Sequence, residues 1–490
     1  MKLIDLIKDI FVYDSSHPLL FNSGLFLGLF LAFYAIYIAI RKEKFHKLRI
    51  LYVIAFSLFF YYKCSGIYFL LLIFSSIVDY YIGQALSNVQ KQSYRKLLLW
   101  LSIAVNLGLL GYFKYTNFFI DNINGITGAD LKPLDIFLPI GISFYTFQTM
   151  SYSIDLYRRK IEPARNFWDF LFFVSFFPQL VAGPIVRAAQ FIPQISKEPK
   201  LSHYGLDKAL LLIMGGLFKK AVISDYISIN FVDRVFDNPQ LYSAFENLMA
   251  VYGYAAQIYC DFSGYSDMAI GLGLLLGFRL PINFRSPYQS TSITEFWRRW
   301  HISLSSWLKD YLYISLGGNR KGAIRTYVNL FLVMFLGGLW HGAAWKFAVW
   351  GMLHGVLLAI ERFFGKMINL PKSRARSFIG WLFTFHFVLF AWIFFRASDY
   401  DTAMLLIGKI GDLFTDQYAI GDILYSYRFV FALLIISFGT HLMPNRDLFA
   451  LYTIYRKAPL WLKAIGLGIL IWVVYLTASS DVQPFIYFQF

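Results

Sequence analysis

The residue best placed to do chemistry is His341. It sits between Gly338 and Gly342 in the apolar run Phe335-Leu-Gly-Gly-Leu-Trp-His-Gly-Ala-Ala-Trp345, and His354 follows in Trp350-Gly-Met-Leu-His-Gly355. An ionisable side chain inside a lipid-spanning stretch is costly and marks a functional position by default. The flanking glycines let the backbone break or approach a neighbour closely, which opens a path to the imidazole. With an ordinary pKa of about 6.5, a histidine takes a proton from a hydroxyl near neutral pH and returns it. The structural alternative for both histidines is a hydrogen bond between helices.

His301 lies in Glu295-Phe-Trp-Arg-Arg-Trp-His-Ile-Ser303, among cations and tryptophans that are ordinary at a membrane boundary. Arg298 and Arg299 can hold a phosphate or carboxylate of a donor arriving from the cytoplasm, because the guanidinium fork matches both. Residues 257–271 place Asp261 and Asp267, with Ser263 and Ser266, inside an apolar run. Buried acids need partners: these pair with Arg298, orient a histidine or fix helix packing, and packing is the favoured role. Ser263-Gly264 is not a G-x-S-x-G elbow and no strand precedes it, which excludes a serine hydrolase of that kind. Last comes Pro484-Phe-Ile-Tyr-Phe-Gln-Phe490, where Tyr487 supplies a hydroxyl. An aromatic belt is the simpler role for this segment; folding back into a cavity is the other.

The elements that must position these groups are membrane helices. Of 490 residues, 58% are hydrophobic and 20% aromatic, far from a soluble composition. Apolar stretches of spanning length recur at 19–40, 97–120, 378–395, 429–442 and 460–477, and 327–360 reads as a hairpin. The expected fold is therefore all-α and polytopic, with about eleven to thirteen spans. The first stretch is followed by Arg41-Lys42 rather than a cleavage site, so it reads as an uncleaved insertion signal. Residues 281–325 mix charges with tryptophans and read as an interfacial or re-entrant helical layer.

The net charge of +16 is spread in short Lys/Arg clusters between apolar segments, the pattern that orients a membrane protein, so nucleic acid is not an expected partner. Placing those clusters in the cytoplasm puts both termini outside a plasma (inner) membrane crossed many times. Cys64 and Cys260 form neither a disulfide framework nor a metal-ligand spacing. No metal is expected. Absence of an internal repeat leaves residues 1–490 as one membrane domain, ending in the aromatic motif at 484–490, and weakens an inverted-repeat transporter. A transporter or flippase remains the competing function from another class.

Together, several blocks resemble the membrane-bound O-acyltransferase family, in its bacterial branch of alginate O-acetylation and teichoic-acid D-alanylation proteins. They are Pro139-Ile-Gly-Ile-Ser-Phe-Tyr-Thr-Phe-Gln148, Phe177-Pro-Gln-Leu-Val-Ala-Gly-Pro184, Asp261-Phe-Ser-Gly-Tyr-Ser-Asp267, Ile293-Thr-Glu-Phe-Trp-Arg-Arg-Trp-His301, Trp307-Leu-Lys-Asp-Tyr-Leu-Tyr313, Gly317-Gly-Asn319 and Leu339-Trp-His-Gly342. The resemblance implies that His341 is catalytic and that His301 is the second characteristic polar position, where many relatives have asparagine. It implies a funnel from the outer face, a thin central layer and a donor entering from the cytoplasm. It also implies acyl transfer, with acetyl expected and D-alanyl as runner-up, from an acyl thioester (acetyl-CoA or an acyl carrier protein) to an extracytoplasmic polysaccharide. A separate extracytoplasmic transferase is an expected partner, and no cofactor is tightly held. The final segment resembles the C-terminal motif of a small partner protein of D-alanylation, which makes Tyr487 a candidate acyl relay activated by His341, since a phenol of pKa about 10 needs a base.

Overall fold

The computed structural model describes residues 10–15, 17–367, 373–416, 419–477, 485 and 486. These are helical or irregular, with no strand among the described residues. The principal helices are α1 (Gly24–Ile40), α2 (His46–Ser65), α3 (Phe69–Asn88), α4 (Gln92–Leu110), α5 (Ile142–Tyr157), α6 (His203–Leu217), α7 (Ala244–Leu275), α8 (Ile293–Arg299), α9 (Ile302–Trp307), α10 (Ala323–His341), α11 (Trp345–Met367), α12 (Arg374–Arg396), α13 (Arg428–Leu442) and α14 (Leu460–Thr477).

Six stretches among the described residues are long and apolar enough to cross a membrane, or seven if the bent pair Ile420–Ser426 and Arg428–Leu442 is one span. The chain is thus a multi-pass membrane protein with fewer clear spans than the apolar stretches suggest. One reason is that Glu43–Asn88 counts as one stretch of 46 residues although it holds two 20-residue helices, α2 and α3, broken at Gly66. Another is that the middle of the chain is broken into short helices. Residues 281–325 follow that pattern: α8 and α9 have 7 and 6 residues, too short to cross lipid.

The chain divides into two compact units. The first takes the described residues up to Ile213 with Met268–Pro281, and buried polar side chains tie its helices together. Asp79 on α3 accepts from Ser102 Oγ (2.5 Å) and Asn106 Nδ2 (2.7 Å) on α4 and from Ser153 Oγ (3.2 Å) on α5, a node that ties three helices without a fixed charge pair. Arg95 donates to the Leu156 and Tyr157 carbonyls at the end of α5, both at 3.0 Å, where the helix dipole favours a cation. Around Phe177 the rings of Phe21, Phe26, Phe30, Phe33 and Phe60 form the apolar filling.

The second unit takes Met214–Asp267 and Ile282–Ile486 and contains every described residue singled out above for chemistry. Its centre is the α10/α11 hairpin. Gly338 and Gly342 recur at i, i+4 near the end of α10, and Gly351 and Gly355 do so on α11, so each helix offers a groove of bare backbone to the other. A methyl group on Gly338 would collide with the Phe347 carbonyl oxygen and lie 3.0 Å from Gly351 Cα; one on Gly355 would lie 3.0 Å from Phe331 Cα. Close backbone approach at these glycines fixes where α10 ends, and it ends at His341.

Candidate active site

His341 is the last residue of α10 and is 3% exposed. Its ring stands edge-on to Trp350 of α11 (5.1 Å between centroids) and Phe395 of α12 (5.3 Å), and the preceding Trp340 lies 5.0 Å away. Trp350 is in turn stacked on Trp392 at 5.7 Å. The imidazole therefore occupies a box of aromatic walls at a helix terminus, with no carboxylate among these neighbours.

His301 is fully buried and joins α8 to α9 in the left-handed backbone region, φ +40°, which side chains other than glycine seldom adopt. Asn283 clamps that turn: its carbonyl accepts the Ile302 N–H (2.9 Å), and its Oδ1 takes the Ser303 N–H (3.2 Å) and the Ser303 hydroxyl (2.9 Å). A backbone N–H can only donate, so the side-chain atom it meets must be the oxygen. The same Oδ1 lies 3.1 Å from His301 Nδ1, which must then carry the proton in the neutral ring and leave the lone pair on Nε2. Burial pushes the pKa of His301 from its usual 6.5 down to about 3, so the ring stays neutral across the physiological range. Trp340 links the two sites, 6.0 Å from the His301 ring and next in sequence to His341.

His354 lies one turn beyond Trp350 on α11 and is also fully buried. Its Nδ1 accepts the Trp297 indole N–H at 3.3 Å, which leaves the Nε2 without a hydrogen-bond partner among the described residues. Read along the unit, histidines and tryptophans alternate as His301, Trp340, His341, Trp350 and His354, all in ring contact with their neighbours.

Beside this row lies a cavity of about 510 Å³. Apolar side chains from α10 and α11, including Val333, Met334 and Leu358, form much of its wall; Trp297, Ser305 and Ser306 add polar atoms, and Arg298, Lys309 and Arg362 supply three cations. The buried Nε of Arg362 has no hydrogen-bond partner among the described residues. Arg298 lines this cavity, but the adjacent Arg299 does not. Arg299 pairs with Glu295 one turn back at 2.7 Å. Burial alone would raise the Glu295 carboxyl, but donation from the Thr291 backbone and hydroxyl together with Arg299 brings it below the usual range. Ser292 accepts the Glu295 N–H (3.2 Å), so the segment Thr291-Ser-Ile-Thr-Glu295 starts α8 with a near relative of the capping box. That pattern was readable in sequence and separates the two arginines: one holds a helix together, the other faces a cavity.

Asp261 and Asp267 do not reach Arg298 or a histidine. Asp261 is bound by Lys220 (2.6 Å), which also meets Asp225 (2.8 Å), and Asp267 is bound by Lys219 (2.7 Å). On α7, Asp261, Gly264 and Asp267 recur at i, i+3, i+6 on one face, and a methyl on Gly264 would lie 2.8 Å from the Gly216 carbonyl oxygen. Close approach at Gly264 thus brings both lysines to both acids. The sequence reading passed over Lys219-Lys220, because a Lys-Lys pair between apolar segments looks like an orientation signal. It also passed over His441, whose Nε2 accepts the Tyr288 N–H at 3.0 Å. Tyr487 lies outside the described residues. No group of three or more metal-ligating side chains occurs among those described.

Residues 160–398 match the model of the membrane-bound O-acyltransferase family. The chain is 39% identical over 422 residues to the peptidoglycan O-acetyltransferase of Helicobacter pylori, a match covering 80% of each protein. To the "Probable alginate O-acetylase AlgI" of Pseudomonas putida it is 42% identical over 405 residues, again 80% of each. It is 30% identical over 277 residues to the teichoic acid D-alanyltransferase of Bacillus subtilis, covering 53% of this chain and 69% of that protein.

Proposed function

The chain belongs to the membrane-bound O-acyltransferase family, and from that premise we propose that it transfers an acetyl group from a cytoplasmic thioester to a hydroxyl destined for an extracytoplasmic glycan, with His341 as general base. The observation that carries this reading is the seat of His341: a buried imidazole at the end of a glycine-packed hairpin, in a dry aromatic box and in the same unit as a cation-bearing cavity. The acetyl reading is favoured over D-alanyl transfer because relatives named for O-acetylation match 80% of the chain, against 53% for the D-alanyltransferase.

In the proposed step, His341 removes the proton of the acceptor hydroxyl while its oxygen attacks the thioester carbonyl. The carbon–sulfur bond then breaks, and the imidazolium returns its proton to the departing thiolate. The proton balance closes on one residue. The cavity suits the donor because coenzyme A and acyl carrier proteins both present their thioester on a phosphate-bearing arm. Arg298, Lys309 and Arg362 would meet the phosphate and the apolar wall the arm. The Trp297–Trp350 contact, 5.7 Å between centroids, stands between that cavity and His341, and would have to open for the thioester to pass.

His301 Nε2 is a second neutral acceptor in the same row, suited to orienting the hydroxyl rather than carrying charge. The acceptor itself is either the sugar or Tyr487, whose acyl ester would be handed on by an extracytoplasmic transferase. The proposed location is a plasma or inner membrane with the donor side in the cytoplasm.

The test is complementation of a deletion strain. His341→Ala, present and monodisperse at parental level, is expected to leave surface glycans without O-acetyl groups; normal acetylation would overturn the assignment. Ester-linked D-alanine on those polymers, lost in the same variant, would instead establish the D-alanyl reading.

A further inference from the structure

Phe485 and Ile486, beyond α14 in sequence, lie in the interior of the second unit and meet the lysine–aspartate cluster. Phe485 and Ile486 are both buried, at 1% and 4% exposure. The Ile486 N–H donates to Asp261 Oδ2 at 3.0 Å, while the other oxygen of that carboxylate takes the Lys220 ammonium. The Phe485 ring lies under the same ammonium, 4.7 Å from Nζ, and meets the Tyr265 ring edge-on at 4.4 Å.

The cluster pairs two carboxylates, Asp225 and Asp261, with Lys220, so with all three ionised it carries an excess negative charge in a largely buried site. A backbone N–H aimed at the surplus oxygen is what such a site requires, and an aromatic face on the ammonium answers its remaining positive surface. Both complements come from adjacent residues of one segment. Tyr487 is the next residue in sequence.

We infer that Asp261, fixed by Lys220, is a positioning residue: it anchors the backbone of Ile486, with Phe485 seated on the lysine. The anchor stands on the contacts above. Its purpose, delivery of the Tyr487 hydroxyl to the acyl group, rests on the relay reading under Proposed function.

The experiment uses the full-length protein in detergent with Ile486→Cys, which keeps the backbone N–H, and a water-soluble maleimide. The parent chain, whose Cys64 and Cys260 are both buried, gives the background rate. The new thiol is expected to react at least tenfold more slowly in the native protein than in SDS. Adding Asp261→Ala should raise the native rate at least tenfold. That change leaves Lys220 paired with Asp225, so no buried cation is stranded. Asp261→Asn, which keeps a carbonyl acceptor for Ile486, should fall between the two. Phe485→Ala, which leaves all three ions in place, should also release the thiol and serves if Asp261→Ala does not fold. A thiol as reactive in the native protein as in SDS would overturn the anchor, and so would one still protected in every variant that folds.

Acyl transfer separates the anchor from its purpose. If both hold, Asp261→Ala lowers kcat for glycan acetylation with the donor KM unchanged, and Asp261→Asn recovers part of it. A Tyr487→Phe chain with full activity and a protected residue 486 would sink the relay and leave the anchor standing.

Discussion

The second unit buries two polar sites that solve the same problem in opposite ways. Around His341 the protein has gathered rings: His301 and His354 are fully buried, hydrogen-bonded to Asn283 and Trp297 respectively, and tryptophans fill the spaces between. Around Lys220 it has gathered ionisable groups and paired them at 2.6 and 2.8 Å. An ion pair fixes its protons, since moving one would strand a charge in a dry interior. A neutral imidazole can gain and lose a proton with no counterion to rearrange. Mobile protons therefore belong to the histidine row, and a fixed backbone belongs to the ion cluster. Substitutions in the two sites should accordingly fail differently.

The largest separation is expected between His341→Ala and Lys220→Met. Loss of a general base costs about 10²–10⁴ in rate. His341→Ala should show that loss of acetyl transfer while its thermal midpoint in detergent stays near the parent's, because the aromatic box remains. Lys220→Met strands Asp225 and Asp261 without their cation, and breaking a buried pair from one side costs about 3–5 kcal/mol. It should unfold at markedly lower temperature in the same assay. If the two variants exchanged phenotypes, the division of labour would be wrong.

A smaller effect should appear with pH. Because His301 is kept neutral in the folded protein, while its unfolded counterpart takes a proton below about 6.5, its contribution to stability is complete above pH 6.5 and is lost as pH falls. Between pH 7 and pH 5 the loss is about 2 kcal/mol for this one group. Thermal unfolding of His301→Asn at the two pH values should show a shallower decline than the parent. An unchanged decline would mean that the buried ring is not what titrates.

How much of this was legible follows from the same contrast. His341 could be picked out because a lone ionisable residue among glycines and apolar side chains is conspicuous in any membrane stretch. The ion cluster could not, since its members come from 220, 225 and 261 and only the close approach at Gly264 unites them. Two histidines singled out in sequence proved to share a row with His341, but their tryptophan and asparagine partners are set by tertiary contact alone.

The finest test lies within one dipeptide. Arg298 lines the 510 Å³ cavity, whereas Arg299 is engaged with Glu295 at 2.7 Å on a half-exposed helix face. If the cavity receives the phosphate of the donor, Arg298→Ala should raise the donor KM about tenfold, the equivalent of one charge-assisted hydrogen bond of about 1.4 kcal/mol, with kcat little changed. Arg299→Ala removes a partly exposed i, i+4 pair worth about 0.3–0.5 kcal/mol and should leave the KM within about twofold of the parent. Steady-state kinetics with acetyl-CoA and with an acetylated carrier protein would measure both. A donor KM for Arg298→Ala within about twofold of the parent would mean that Arg298 does not meet the donor.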